Sequence, residues 1–142
     1  MEEKYFINCD GGARGNPGPA AAAFAVKKGG KIIFKSNNFL GKATNNIAEY
    51  EAAIAALRWI KDNKKIIDNS RVALLLDSEL ITNQLLGNFK TKNPTLKKLL
   101  ESAKLLEQNS KIRISYKLIP REKNYEADFL VNEILNRNQS FT

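Results

Sequence analysis

Tyr5-Phe6-Ile7-Asn8-Cys9-Asp10-Gly11-Gly12 runs into Gly15-Asn16-Pro17-Gly18-Pro19, and this join decides how the chain is read. Aromatic and branched residues over Tyr5 to Asp10 predict a first strand. The glycines and prolines from Gly11 to Pro19 predict a turn segment. Ala20 to Val26 and Lys31 to Leu40 then read as two more strands, with Lys28-Gly29-Gly30 as the hairpin between them. The alanine run at 20–23 has helical propensity, but it is short and glycine-flanked, which favours strand. Three strands on short links predict an antiparallel meander.

From Asn46 the spacing becomes helical. Ile47, Tyr50, Ile54, Leu57 and Ile60 recur on one face with alanines between them. Asn45 or Asn46 is available as the N-cap, which puts Glu49 in the first turn. Arg71 to Asp77 contains Val72-Ala73-Leu74-Leu75-Leu76, a run suited to a central strand buried on both faces. Ser78 to Leu86 predicts a short helix ending near Gly87. Asn93-Pro94 starts another, with Leu96, Leu99, Leu100, Ala103 and Leu106 on its apolar face. Lys111 to Ile119 is the last strand, stopped by Pro120, and Asn124 to Arg137 the last helix. The order βββαβααβα predicts an α/β fold: a mixed five-stranded sheet with helices packed on it.

Four carboxylates fall at the element ends. Asp10 and Asp77 end two strands that can lie side by side; Glu49 and Asp128 start helices that can pack at the same edge. Ligand sites of open α/β sheets lie outside the carboxyl ends of strands. Acids gathered there repel one another unless cations sit between them, which points to hard divalent metals and phosphoryl chemistry. Four carboxylates can hold two magnesium ions roughly 4 Å apart. Taken singly, each acid has an ordinary reading: Asp10 as a turn residue, Asp77 as a helix N-cap, Glu49 and Asp128 as first-turn charges facing a helix dipole.

Composition narrows the chemistry. The 142 residues suit one domain spanning 1–142, and a hydrophobic share of 43% argues for a real core. There is no histidine, which removes imidazole triads, histidine zinc sites and imidazole proton shuttles. The one cysteine, Cys9, allows no intrachain disulfide and reads as a small buried hydrophobe. The formal net charge of +8 favours a polyanionic partner. The acidic start Met1-Glu2-Glu3-Lys4 is unlike a signal peptide, and no apolar run reaches membrane-spanning length. A cytoplasmic monomer without a membrane partner is expected.

Four local words, in order from about residue 4 to about residue 137, carry a resemblance. They are Asp10-Gly11-Gly12 with Gly15-Asn16-Pro17-Gly18-Pro19; Thr44-Asn45-Asn46-Ile47-Ala48-Glu49-Tyr50; Asp77-Ser78; and Pro120-Arg121-Glu122-Lys123-Asn124 with Glu126-Ala127-Asp128. Together they resemble type 1 ribonuclease H. The resemblance implies a ribonuclease H-like fold and an endoribonuclease that cuts the RNA strand of RNA–DNA hybrids. It implies magnesium or manganese as the metal, and 3′-hydroxyl and 5′-phosphate ends. It further implies Asp10, Glu49, Asp77 and Asp128 as catalytic metal ligands. Asn16, Asn45 and Asn46 match residues that read the minor groove and 2′-hydroxyls, and amides can both donate to and accept from a hydroxyl. Capping and tight turns are the other reading of these asparagines. Thr44 matches a residue that helps seat a DNA phosphate. Gly11, Gly12 and Gly15 would let the backbone approach the RNA strand, although turns alone also favour glycine.

Three departures from the family's pattern stand out. The loop before the last acid carries Arg121 where many relatives have histidine, as in a histidine-lacking subgroup; Arg121 can contact phosphate but cannot shuttle protons. Glu79 replaces a frequent amide. The segment Gly87 to Pro94 has no basic handle, leaving Lys90, Lys92, Lys97 and Lys98 as sequence-blind DNA contacts. Core packing is the better reading of Trp59. The first strand begins near Met1, so no amino-terminal hybrid-binding extension is expected. Three rivals remain at this level: another nuclease of the same fold, resolvase- or transposase-like; a non-catalytic hybrid-binding module; and, more remotely, a metal-binding structural protein that binds no nucleic acid.

Overall fold

The computed structural model describes residues 3–139. In chain order the elements are β1 (Glu3–Ala13), β2 (Gly18–Lys28), β3 (Lys31–Ala43), α1 (Asn45–Asp62), α2 (Lys64–Ile67), β4 (Arg71–Leu76), α3 (Glu79–Leu85), α4 (Pro94–Ser110), β5 (Arg113–Leu118), a 3-10 turn (Arg121–Lys123) and α5 (Tyr125–Arg137). The sheet order is β3-β2-β1-β4-β5, with β1 antiparallel to β2 and parallel to β4. The α/β class, the mixed five-stranded sheet and the opening meander are as expected. The acidic start at Met1-Glu2 and the tail at 140–142 lie outside the described residues.

Three local readings are corrected. β1 does not stop at Asp10 but continues through Gly11 and Gly12 to Ala13, because Gly11↔Ala22 and Gly12↔Ala21 pair with β2. The turn therefore shrinks to the residues between Ala13 and Gly18. The N-cap of α1 is Thr44, whose Oγ1 accepts from the Ile47 N–H at 3.2 Å, not Asn45 or Asn46. Helix α2 adds an element to the expected order; at four residues it is too short to show a period.

The period of two in β2 divides the interior. Ala22, Phe24 and Val26 face a large core with Ile7, Tyr50, Leu57, Ile60, Leu74 and Leu85 under α1, α3 and α4. Ala21, Ala23 and Ala25 face the other way and meet Leu130, Val131 and Leu135 of α5. The alanine run is thus a strand whose small side chains let α5 lie close to the sheet. Trp59 packs as expected, stacked on Phe34 with ring centroids 5.8 Å apart.

Candidate active site

The site forms where β1 outruns β4. Their parallel pairing ends at Asn8↔Leu75, while β1 continues beside β2 alone. Past that point the β4 side of β1 has no strand to satisfy it, so polar side chains take over. The first helical turns of α1 close in from above: a Cβ on Gly11 would lie 2.1 Å from the Ala48 carbonyl oxygen and 2.5 Å from the Glu49 nitrogen. Only glycine permits this approach, and it sets Glu49 beside Asp10. The Gly11 N–H donates to Glu49 Oε1 at 3.1 Å. For Gly11 the close neighbour is therefore a helix of the same chain.

Asp10, Glu49 and Asp77 each offer a carboxylate oxygen, and these oxygens lie within 4.8 Å of one another. Asp128, in the first turn of α5, lines the same cleft of about 360 Å³ but stands outside that three-acid cluster and is exposed. The ordinary readings of three acids fail on geometry. Asp10 is inside a strand rather than at a turn. The N-cap of α3 is Ser78, whose Oγ accepts from Ile81, leaving the Asp77 carboxylate for the cleft. Glu49 is the fifth residue of α1, past the first turn in which it was expected.

Asp10 and Glu49 are buried at 7% and 8% exposure, and no ion pair among the described residues involves them. Glu49 Oε2 is buried with no hydrogen-bond donor. Burial above all, then the Asp77 charge, pushes the Asp10 carboxyl from 3.8 up to about 7; Asp128 adds a smaller push, while a hydrogen bond from Glu49 and the nearby Arg121 guanidinium pull it back. Glu49 is also raised, by burial first and then by the Asp10 charge. Both carboxyls are thus raised chiefly by burial and neighbouring acid charge, and neither gains an ion-pair partner among the described residues. An orphaned buried oxygen beside crowded all-oxygen donors fits a hard divalent cation, which would relieve both the desolvation and the repulsion.

One residue of the site escaped the sequence reading. Asn124, wholly buried just before α5, donates from Nδ2 to Asp77 Oδ2 at 2.8 Å and to the Cys9 carbonyl at 2.8 Å. Its Oδ1 accepts from Asn8 Nδ2 at 3.0 Å. It fills the gap left where β4 ends and fixes the Asp77 carboxylate. By sequence Asn124 reads as the first residue of the last helix; here it precedes α5 and makes no side-chain cap bond. The adjacent Cys9 thiol is fully buried, and that burial pushes its pKa up.

The other expected contacts divide. Gly11, Gly12, Asn45, Asn46 and Arg121 line the cleft. Asn16 Oδ1 accepts from the Asn45 N–H at 3.0 Å, and Asn45 Oδ1 accepts from the Ala13 N–H at 2.8 Å, so these amides tie the turn to α1. Thr44 is engaged as the cap. Lys90 and Lys92 are exposed in the loop between α3 and α4, outside the cleft lining.

Residues 8–134 match the family model described as "Reverse transcriptase-like". The chain is 38% identical over 135 residues to "Bifunctional protein Rv2228c" of Mycobacterium tuberculosis, a match covering 94% of this chain and 36% of that relative. It therefore spans little more than a third of that curated relative. It is 39% identical over 129 residues to "Ribonuclease HI" of Halobacterium salinarum, covering 89% of this chain and 62% of the relative. The crystal structure of LC11-RNase H1 in complex with RNA/DNA hybrid superposes with a TM-score of 0.91 at 38% identity, covering 96% of this chain and 100% of the other. Taken with the acid cluster and strand order, these matches show that the chain belongs to the type 1 ribonuclease H family.

Proposed function

We propose that this chain is an endoribonuclease that hydrolyses the RNA strand of RNA–DNA hybrids, leaving 3′-hydroxyl and 5′-phosphate ends. The observation that carries this reading is the meeting of Asp10, Glu49 and Asp77 within 4.8 Å, the first two buried and the third half-buried, with no ion pair to any of them among the described residues. LC11-RNase H1, similar over nearly the whole chain, is described in complex with RNA/DNA hybrid.

Asp10, Glu49 and Asp77 would hold the metal, with the exposed Asp128 closing the cleft from α5. Two Mg²⁺ ions, or Mn²⁺ in their place, would supply Lewis-acid activation of water and neutralise charge at the phosphate. The residues of this chain set up that event. Asn124 keeps Asp77 from rotating away. Asn45 and Asn46 bring amides to the cleft wall, where they can read ribose 2′-hydroxyls, with Asn16 bracing Asn45. Gly12 leaves room for a strand. Arg121 offers a guanidinium to phosphate. Thr44, Lys90 and Lys92 would grip the DNA strand without reading sequence. The protein would act as a cytoplasmic monomer.

The test is a labelled hybrid incubated with Mg²⁺ or Mn²⁺, alongside duplex DNA, four-way junction and RNA duplex. The parent should cut the RNA of the hybrid, and Asp10→Asn should bind it yet lose at least about 10³-fold in rate. Parental cutting by Asp10→Asn would sink the metal assignment. Cutting confined to junctions would favour the resolvase-like reading.

A further inference from the structure

Arg14 directly follows β1 in the turn that leads to β2. Its backbone is pinned on both sides. The Arg14 N–H donates to the Pro19 carbonyl at 2.8 Å, and the Arg14 carbonyl sits where a Cβ on residue 18 would lie, 2.1 Å away, so Gly18 alone fits beneath it. The side chain crosses to α5. Both bonds leave from Nη2: one to Asn132 Oδ1 at 3.2 Å, the other to Asn136 Oδ1 at 2.7 Å. Asp128, Asn132 and Asn136 are spaced by four on α5, and Asn132 is itself held by its Nδ2 bond to the Asp128 carbonyl at 3.1 Å.

Arg14 gains no charge partner from this arrangement. Its partners are neutral amides, and the nearest carboxylate by sequence on that helix, Glu133, pairs with Arg137 instead. Arg14 is exposed and joins no ion pair among the described residues, so its whole charge stays available. Nε and Nη1 carry no hydrogen bond among those residues either. Arg14 lines the acid cleft, whose lining includes Arg121 as the other cation. A planar guanidinium, oriented at one end and free at the other, matches the geometry of a phosphate.

We propose that Arg14, aimed by Asn132 and Asn136, contacts a backbone phosphate of the nucleic-acid strand lying in the acid cleft. The inference rests on the hybrid-nuclease reading for the identity of that strand, and adds to it a sequence-blind grip on the α5 side. Such a contact displaces about one counterion from the duplex.

The test uses Arg14→Gln, which keeps an amide for the two asparagines but removes the charge, and Arg14→Lys, which keeps the charge. Binding of a labelled hybrid is measured by fluorescence anisotropy from low to moderate salt in the Asp10→Asn background, and KM and kcat in the parental background. Arg14→Gln should weaken binding roughly ten-fold at low salt and make the slope of log K against log salt shallower by about 1. KM should rise while kcat changes little, and Arg14→Lys should keep the parental slope. A parental slope in Arg14→Gln, or a fall in kcat at constant KM, would overturn the phosphate contact. A parent that binds hybrid but never cuts it would overturn the nuclease reading instead, and leave the salt slope to decide Arg14.

Discussion

The two faces of the sheet are built on different scales. Under α1, α3 and α4 lies a core of large side chains, with a helix so close that Gly11 has no space for a methyl group. Under α5 lies a thin layer of three alanines against Leu130, Val131 and Leu135. The acids follow this division. Glu49, delivered by α1, is buried and strongly desolvated, whereas Asp128, delivered by α5, is exposed. The thick face therefore carries the desolvated acids, and the thin face brings residues to the exposed wall of the cleft. Asn124 ties the two together, standing at the start of α5 and holding Asp77 at the end of β4.

Breaking the thick face should have the largest effect. Gly11→Val places side-chain carbon against the Ala48 carbonyl and the Glu49 nitrogen, both backbone atoms that cannot rotate aside. We expect a loss of about 3 kcal/mol or more by denaturant melt, with activity below detection. Preserved stability would show that α1 can slide, and the close approach would lose its role in placing Glu49.

Cutting the tie comes next. Asn124→Ala strands the Asp77 Oδ2, Cys9 carbonyl and Asn8 Nδ2 atoms that it now satisfies. The expected cost is about 2–3 kcal/mol. Because Asp77 loses its orientation, kcat should fall about 10- to 100-fold with KM little changed. An unchanged kcat with reduced stability would make Asn124 a mere space filler.

The smallest effect sharpens the electrostatic side of the comparison. Asp10 is raised from 3.8 to about 7, so between those values the folded protein holds a proton that the unfolded chain releases. In EDTA, the contribution of Asp10 to stability falls as pH rises from about 4 to about 7 and stays low above. Asp10→Asn removes that penalty. Raising a carboxyl from 3.8 to about 7 is worth at most roughly 4 kcal/mol, and the buried amide that replaces it keeps part of the desolvation cost. The variant should therefore be more stable than the parent at pH 8 in EDTA by roughly 1–2 kcal/mol, and should lose the advantage below pH 4. Divalent metal should reverse the ranking at pH 8. Equal melting curves for parent and variant at both pH values would show that burial of this carboxyl is costless.

Much of this architecture is legible in the chain because local periods are strong. The change from two to helical spacing after Thr44, the apolar run before Asp77 and Pro94 at the start of α4 all report their elements. Failures occur where a neighbour distant in sequence overrides local chemistry. Gly11 and Gly12 look like a turn but pair with the alanines of β2. Helix α2 is one turn and has no period to read. Asn124 looks like the first residue of a helix but bonds to partners 47, 115 and 116 residues away.

The chain by itself determined the longer elements and their order, which acids are available and that imidazole chemistry is excluded, since residue types and short-range spacing carry that information. Tertiary structure alone decided that three of the four acids crowd within one cation's reach while Asp128 stays at the exposed wall. It also decided that Arg14 lines the cleft and that buried Asn124 holds Asp77 in place behind it. Those outcomes depend on where β4 stops beside β1 and how closely two helices approach the sheet, which are sums of many long-range contacts that no local stretch encodes.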